Sequence, residues 1–109
     1  MPTTTPSVAL PPGAVFADDW DYDDWGADAP RDMVRCVSSA KLRITGSPVT
    51  VCVDALQRED GTLVCVDMNI RPTEALLLDA NADQCRELAA HLLELAPLLD
   101  TWGSMRAAE

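Results

Sequence analysis

From Met33 onward, apolar and polar residues alternate with the period of two that marks a strand lying half in water. Val34, Cys36, Ser38, Ala40, Leu42 and Ile44 share one face, and Arg35, Ser39, Lys41, Arg43 and Thr45 share the other with Val37. Gly46-Ser47 then offers a two-residue hairpin turn of the II′ kind, with glycine where φ must be positive. That turn sets Ile44 against Val49, Leu42 against Val51 and Ala40 against Val53, so apolar meets apolar. In the next stretch, VTVCVDALQ, residues Val49, Val51, Val53 and Ala55 point inward. Asp60-Gly61 predicts a type I′ turn, which pairs Val51 with Ile70, Val53 with Met68 and Ala55 with Val66. The opposite face keeps Thr50, Cys52, Asp54, Leu56, Leu63, Cys65, Asp67 and Asn69. Pro72 has no N–H to give a ladder and ends the third strand. ALLL at 75–78 reads as a short fourth strand or as the crossing segment.

The period then changes to that of a helix. Asn81 caps it, and Gln84 three residues later completes a capping box. Cys85, Leu88, Ala89, Leu92, Ala96 and Leu99 recur at threes and fours and form the inward stripe. Asp83, Arg86, Glu87, Ala90, His91 and Glu94 fall on the other side. Pro97 frees the carbonyl of Leu93, which predicts a kink or a stop, and Trp102 closes the domain. Two apolar surfaces that must be buried against each other give the fold class. It is α+β: a three-stranded, or with 75–78 four-stranded, antiparallel meander with one C-terminal helix on its apolar face and a disordered N-terminus.

The first 31 residues are different in kind. Residues 1–17 are rich in Pro and Thr, have no period, and read as a disordered leader. Residues 18–31 form an acidic-aromatic segment that opens DDWDYDDW. The packed domain spans 32–103, and 104–109 are a tail. A domain of that size leaves a thin stability margin, which a partner or self-association would widen.

Charge sharpens the picture. The net charge is −10, and seven aspartates against one arginine between Asp18 and Asp32 supply −6 of it. Such a chain is not expected to bind nucleic acid directly or an anionic membrane, both being polyanions. A basic protein partner is the expectation. The N-terminus has no positive n-region and Pro11-Pro12 breaks its apolar run, so no signal peptide is expected, nor any membrane span. Cys36, Cys52, Cys65 and Cys85 lack the close pairing of zinc ligands. Four free, mostly buried or half-buried thiols in a cytoplasmic protein are expected.

The stretches VTVCVDALQREDGTLV and LDANADQCRELAAHLLELAPLLDTW together resemble a loose group of small actinobacterial proteins, some carried by their phages. That group is similar in its Trp-containing leader, strand–Asp-Gly–strand hairpin and C-terminal helix of the type A/D-Q-x-R-E-L-A-x-x-L. The likeness covers roughly 20–102. It implies a fold and a host lineage, not an activity. Pro97 and the leucines at 76–78 depart from the pattern.

Candidate chemistry is sparse. Asp19, Asp21 and Asp23 begin like a calcium loop, but Asp24 stands where glycine should turn the chain and Pro30 where glutamate should close it. No metal or cofactor is expected. Asp54 and Asp67 stand opposite one another, a repulsion that Lys41 and Arg43 would relieve; a catalytic carboxylate pair is the sharper alternative. His91 reads as a satisfied surface histidine, six residues from Cys85 and so on another face. No enzyme signature is present.

Four of the five aromatics, Phe16, Trp20, Tyr22 and Trp25, lie in the leader, so the domain core is aliphatic apart from Trp102. A buried aromatic brings roughly 150–250 Å² of contact. Leaving four in water forgoes several kcal/mol, so the leader should dock on its own domain, anchor another protein, or else remain a solvated tail. The expected function is that of a small non-enzymatic accessory protein that binds another protein. Trp20, Tyr22 and Trp25 would be its anchors, and Asp18, Asp19, Asp21, Asp23 and Asp24 would supply charge complementarity. Two alternatives come from other classes: a nucleic-acid mimic that blocks a DNA- or RNA-binding protein, and a self-assembling structural protein pairing through an edge strand at 34–45.

Overall fold

The computed structural model describes residues 7–22, 33–72 and 80–106. It is α+β, an antiparallel sheet with one C-terminal helix. The strands are β1 (Ala14–Ala17), β2 (Asp21–Tyr22), β3 (Met33–Ser39), β4 (Leu42–Arg43), β5 (Thr50–Arg58) and β6 (Leu63–Arg71), and helix α1 spans Ala82–Gly103. β3 and β4 lie end to end along one edge of β5, and β6 pairs with its other edge. β1 and β2 pair with the far edge of β3. The sheet is thus four strands wide, and the fourth comes from the leader. The alternative fourth strand, 75–78, lies outside the described residues.

Period-two reading fails at two places, and each failure builds the core. In the β4 hairpin Leu42 pairs with Val51 and Arg43 with Thr50, as expected. Along β3, however, Val37 faces Ala55 and Ser38 faces Asp54, a register shifted by one residue. A slip of one reverses every side chain. Val37, expected outside, is therefore wholly buried, while Val34, Cys36 and Ser38 turn to the other face. The break at Ala40-Lys41 would orphan the N–H of Val53, and the Ser39 hydroxyl accepts it at 2.8 Å. The turn that follows is centred on Thr45-Gly46 and not on Gly46-Ser47, because the Ser47 N–H donates to the Ile44 carbonyl.

The β5–β6 hairpin contains a compensating pair of shifts. Arg58 N–H donates to Thr62 O and Gly61 N–H to Arg58 O, so the loop has three residues instead of two. Gln57 then faces Leu63 and Leu56 faces Val64. A bulge at Cys65, whose φ is +54°, restores the expected register, with Asp54 opposite Asp67 and Val53 opposite Met68. Between loop and bulge the faces are inverted. Leu63, expected outside, is wholly buried for that reason.

The capping box at Asn81 and Gln84 forms with both bonds present, at 2.9 and 3.0 Å. The buried stripe is rotated from the expected one. Leu95 and Trp102 are buried and Leu88, Leu92, Leu98 and Leu99 half-buried against the core, whereas Cys85, Ala89 and Ala96 are exposed. Bulky side chains outbid alanines for the interior, as their larger apolar area requires. Gln84, Glu87 and His91, expected in water, hold the β4–β5 turn: Glu87 accepts from Thr45, Gln84 donates to the Thr45 carbonyl, and His91 Nε2 lies 3.0 Å from the Arg43 carbonyl. α1 also runs through Pro97 without stopping. Pro97 and Leu93 are both exposed, so the freed carbonyl lies on the solvent side.

The leader completes the helix face of the sheet. Trp102 is wholly buried and its Nε1–H donates to the Pro12 carbonyl at 2.7 Å. Beyond it lies Gln57, 1% exposed, which accepts from Arg35 Nε at 2.8 Å and donates to the Ala9 carbonyl at 2.9 Å. Arg35 also donates to the Val8 carbonyl at 2.8 Å. These polar groups satisfy one another and three carbonyls of the leader, so residues 8–12 are tied to β3, β5 and the C-terminal end of α1. Gly13 (φ +83°) then turns the chain against Leu98 and into β1. The reading of 1–17 as disordered is therefore corrected for 7–17; residues 1–6 lie outside the described residues. The self-assembly edge expected at 34–45 is corrected for 34–39, because β3 is flanked on both sides, by β1 and β2 and by β5; β4 pairs with β5.

Candidate protein-binding face

One face of the sheet carries α1; the other carries Cys36, Ser38, Cys52, Asp54, Asp67 and Asn69 and has no second layer among the described residues. The bulges make it concave. β1 walls it with Val15 and Phe16, the floor is formed by Cys36, Ser38, Cys52, Asp54 and Asn69, and Lys41 and Arg71 complete a hollow of about 670 Å³. Its lining is mostly apolar with a few convergent polar groups, the usual make-up of a binding site.

Asp54 organises the floor. Its carboxylate accepts from the Ser38 hydroxyl at 2.5 Å, from the Cys52 thiol at 3.6 Å and from the amide of Asn69. The repulsion with Asp67 is thus relieved by neutral donors from β3, β5 and β6, and not by the ion pairs to Lys41 and Arg43 that the sequence suggests. Three donors from β3, β5 and β6 thus occupy most of the acceptor sites of the Asp54 carboxylate. Burial pushes the Cys36 and Cys52 thiols above the ordinary value of 9.0, and the Asp54 charge pushes them further. Both therefore stay protonated near neutrality, the opposite of an activated nucleophile. His91 is on the helix side of the sheet.

Of the four free thiols, Cys52 is buried and Cys36 half-buried, but Cys65 and Cys85 are exposed, against expectation. The bulge turns the first outward and the rotated helix stripe leaves out the second. Cys36 sits opposite Leu56, four residues along β5 from Cys52. That is about 13 Å at the rise of a strand, too far for a disulfide.

Along the outer edge of β3 runs the acidic-aromatic segment, of which residues up to Tyr22 are described. Asp18 is tied to β3 twice: its N–H donates to the Cys36 carbonyl at 3.0 Å, and its carboxylate accepts the Cys36 N–H at 2.6 Å. Trp20 is half-buried, with the Arg35 guanidinium 4.6 Å above its ring centre. Asp19 and Asp21 are exposed along the same edge, and the backbone of Tyr22 pairs with Met33. Asp23, Asp24 and Trp25 lie outside the described residues. Two of the expected hook residues, Asp18 and Trp20, are thereby engaged with the protein's own β3.

The outward apolar residues are instead Val15, 66% exposed, and Phe16, 57% exposed. Sequence reading missed both by assigning 1–17 to a disordered leader. The signal was present: Ala14-Val15-Phe16-Ala17 is an apolar run between a Pro-Pro-Gly turn and the aspartates.

Among the described residues no three His, Cys, Asp or Glu side chains come together as a metal site, and no helix is long and apolar enough to cross a membrane. No protein family matches the chain, and no characterised protein or solved structure is detectably similar to it.

Proposed function

We propose that the protein is a small, non-enzymatic accessory protein that binds a basic protein partner through the open sheet face along β1. One observation carries this reading: an aromatic and a branched side chain held outward at the rim of a hollow, followed within five residues by three aspartates on the same strand edge. An apolar side chain of the partner fills the hollow beside Phe16, and its Lys or Arg residues meet Asp19, Asp21 and the acidic run that continues beyond them. Apolar anchors ringed by charge are the usual make-up of a protein-binding hot spot, with charge setting rate and specificity. The three neutral donors that hold Asp54 and the raised thiols favour binding over catalysis.

The test is affinity capture from a nuclease-treated actinobacterial lysate. It compares the full chain with a Val15→Ser/Phe16→Ser variant whose melting curve shows it folded. The reading expects a basic protein retained by the first, released by salt, and lost by the second. Equal capture by both refutes it. Capture abolished by added polynucleotide would instead make the aspartates a mimic of a phosphate backbone.

A further inference from the structure

A sheet of this kind has two long edges, and the protein treats them differently. The β3 edge is covered by β1 and β2 from the leader. The β6 edge has no strand on it among the described residues. Its first residues are blunted: Leu63 N–H donates to the Met105 carbonyl, and the bulge at Cys65 twists the strand. From Val66 to Arg71 there is, among the described residues, neither a covering strand nor a further bulge. An unprotected edge of six residues is a template for another strand.

The chemistry of that edge selects its partner. Asp67 and Arg71 are both exposed, both on the open face, and neither is in an ion pair among the described residues. In an antiparallel pairing of two identical strands about a two-fold axis, only a few registers keep matching faces together. Centring the axis on Asp67 or on Arg71 opposes like charges. Centring it on Asn69 places Asp67 opposite Arg71 of the second copy, twice, and Asn69 opposite its own equivalent. On the helix side the same register sets the half-buried Met68 against Ile70.

We propose that two copies of this chain pair through β6, residues 66–71, in the register centred on Asn69. The two sheets become one sheet eight strands wide, with both helices on one side and both hollows on the other. Arg71 lines the hollow of its own copy, so the two binding faces meet at the axis and the acidic edges lie at the far ends. This inference is independent of the identity of any partner.

Sedimentation of the full chain across a concentration series tests it, with circular dichroism to show that each variant is folded. The wild type is expected to associate to a dimer. Asp67→Arg and Arg71→Asp, each alone, replace two attractive pairs by two repulsive ones and should raise the dimer dissociation constant about tenfold. Mixed together, the two single variants are complementary at both positions and should form a heterodimer as tight as the wild type. The double variant should also restore the homodimer. A wild type that stays monomeric at millimolar concentration overturns the proposal, as does a dimer indifferent to the swaps or single variants that do not rescue each other.

Discussion

Gln57→Leu is the substitution that most directly probes how the leader is bound. Leucine has nearly the volume of glutamine, so the cavity contribution is small. What is lost is the bridge: the Arg35 Nε bond at 2.8 Å and the Ala9 carbonyl bond at 2.9 Å, both at a residue 1% exposed. A neutral hydrogen bond contributes about 1 kcal/mol and one to a charged group about 1.5–3 kcal/mol, and a buried partner left alone adds its own desolvation. The burial of two further carbons offsets part of this, leaving an expected loss of about 2–4 kcal/mol. In a domain of this size that lowers the melting temperature by about 8–16 °C. Urea and thermal unfolding followed by circular dichroism measure it. Because Arg35 also stacks on Trp20, Gln57→Leu and Trp20→Leu share a partner and should be non-additive by about 0.5 kcal/mol or more. A Gln57→Leu protein within about 0.5 kcal/mol of wild type, the range of ordinary surface changes, would refute the bridge. So would strict additivity with Trp20→Leu.

Three further outcomes follow from the same geometry. Leu63→Ala should cost about 2–5 kcal/mol and Val64→Ala less than about 1 kcal/mol in urea unfolding, whereas an unbroken strand register demands the reverse. The two inner thiols should leave stability unchanged from neutrality to about pH 9 and make it fall above that. The folded state holds the Cys36 and Cys52 protons above the ordinary 9.0, so the unfolded chain ionises first and gains. Cys36→Ala/Cys52→Ala should flatten that fall, and in the wild type at pH 8 the exposed Cys65 and Cys85 should react with a thiol reagent well before the other two. Gly13→Ala should lower stability by about 1–2 kcal/mol in thermal unfolding, since φ is +83° and the added carbon would lie 2.8 Å from Leu98 Cδ1.

Alternation, turn signals and the capping box were enough to define three strands, their order, the central β5–β6 register and the helix. What escaped is local and physical. A bulge carries no signature in a period-two pattern, and here the break at Ala40-Lys41, the three-residue loop and the bulge at Cys65 each exchange inside for outside. Val37 and Leu63 stood on polar runs at those places, but Leu56, equally isolated on the open face, marks no slip, so the pattern alone did not locate them. The helix stripe was misplaced by counting alanines and leucines alike. The leader was misjudged because its stabilising bonds run from Arg35, Gln57 and Trp102 to backbone carbonyls, and carbonyls leave no mark in a sequence. For the candidate site, the concentration of charge and aromatics in the leader was legible. Which of them faces outward depended on β1, a strand that forms only because β3 is there to pair with it.

If β1 and the hollow beside it meet the partner, a photoreactive side chain placed there must capture it. A photoreactive residue replaces Phe16 in one protein and Leu93, 75% exposed on the helix, in another. Both are incubated in nuclease-treated lysate, irradiated, and their adducts identified by mass spectrometry. One basic protein should be joined through position 16 and be absent from position 93. The same protein joined through position 93, or through both alike, would contradict it.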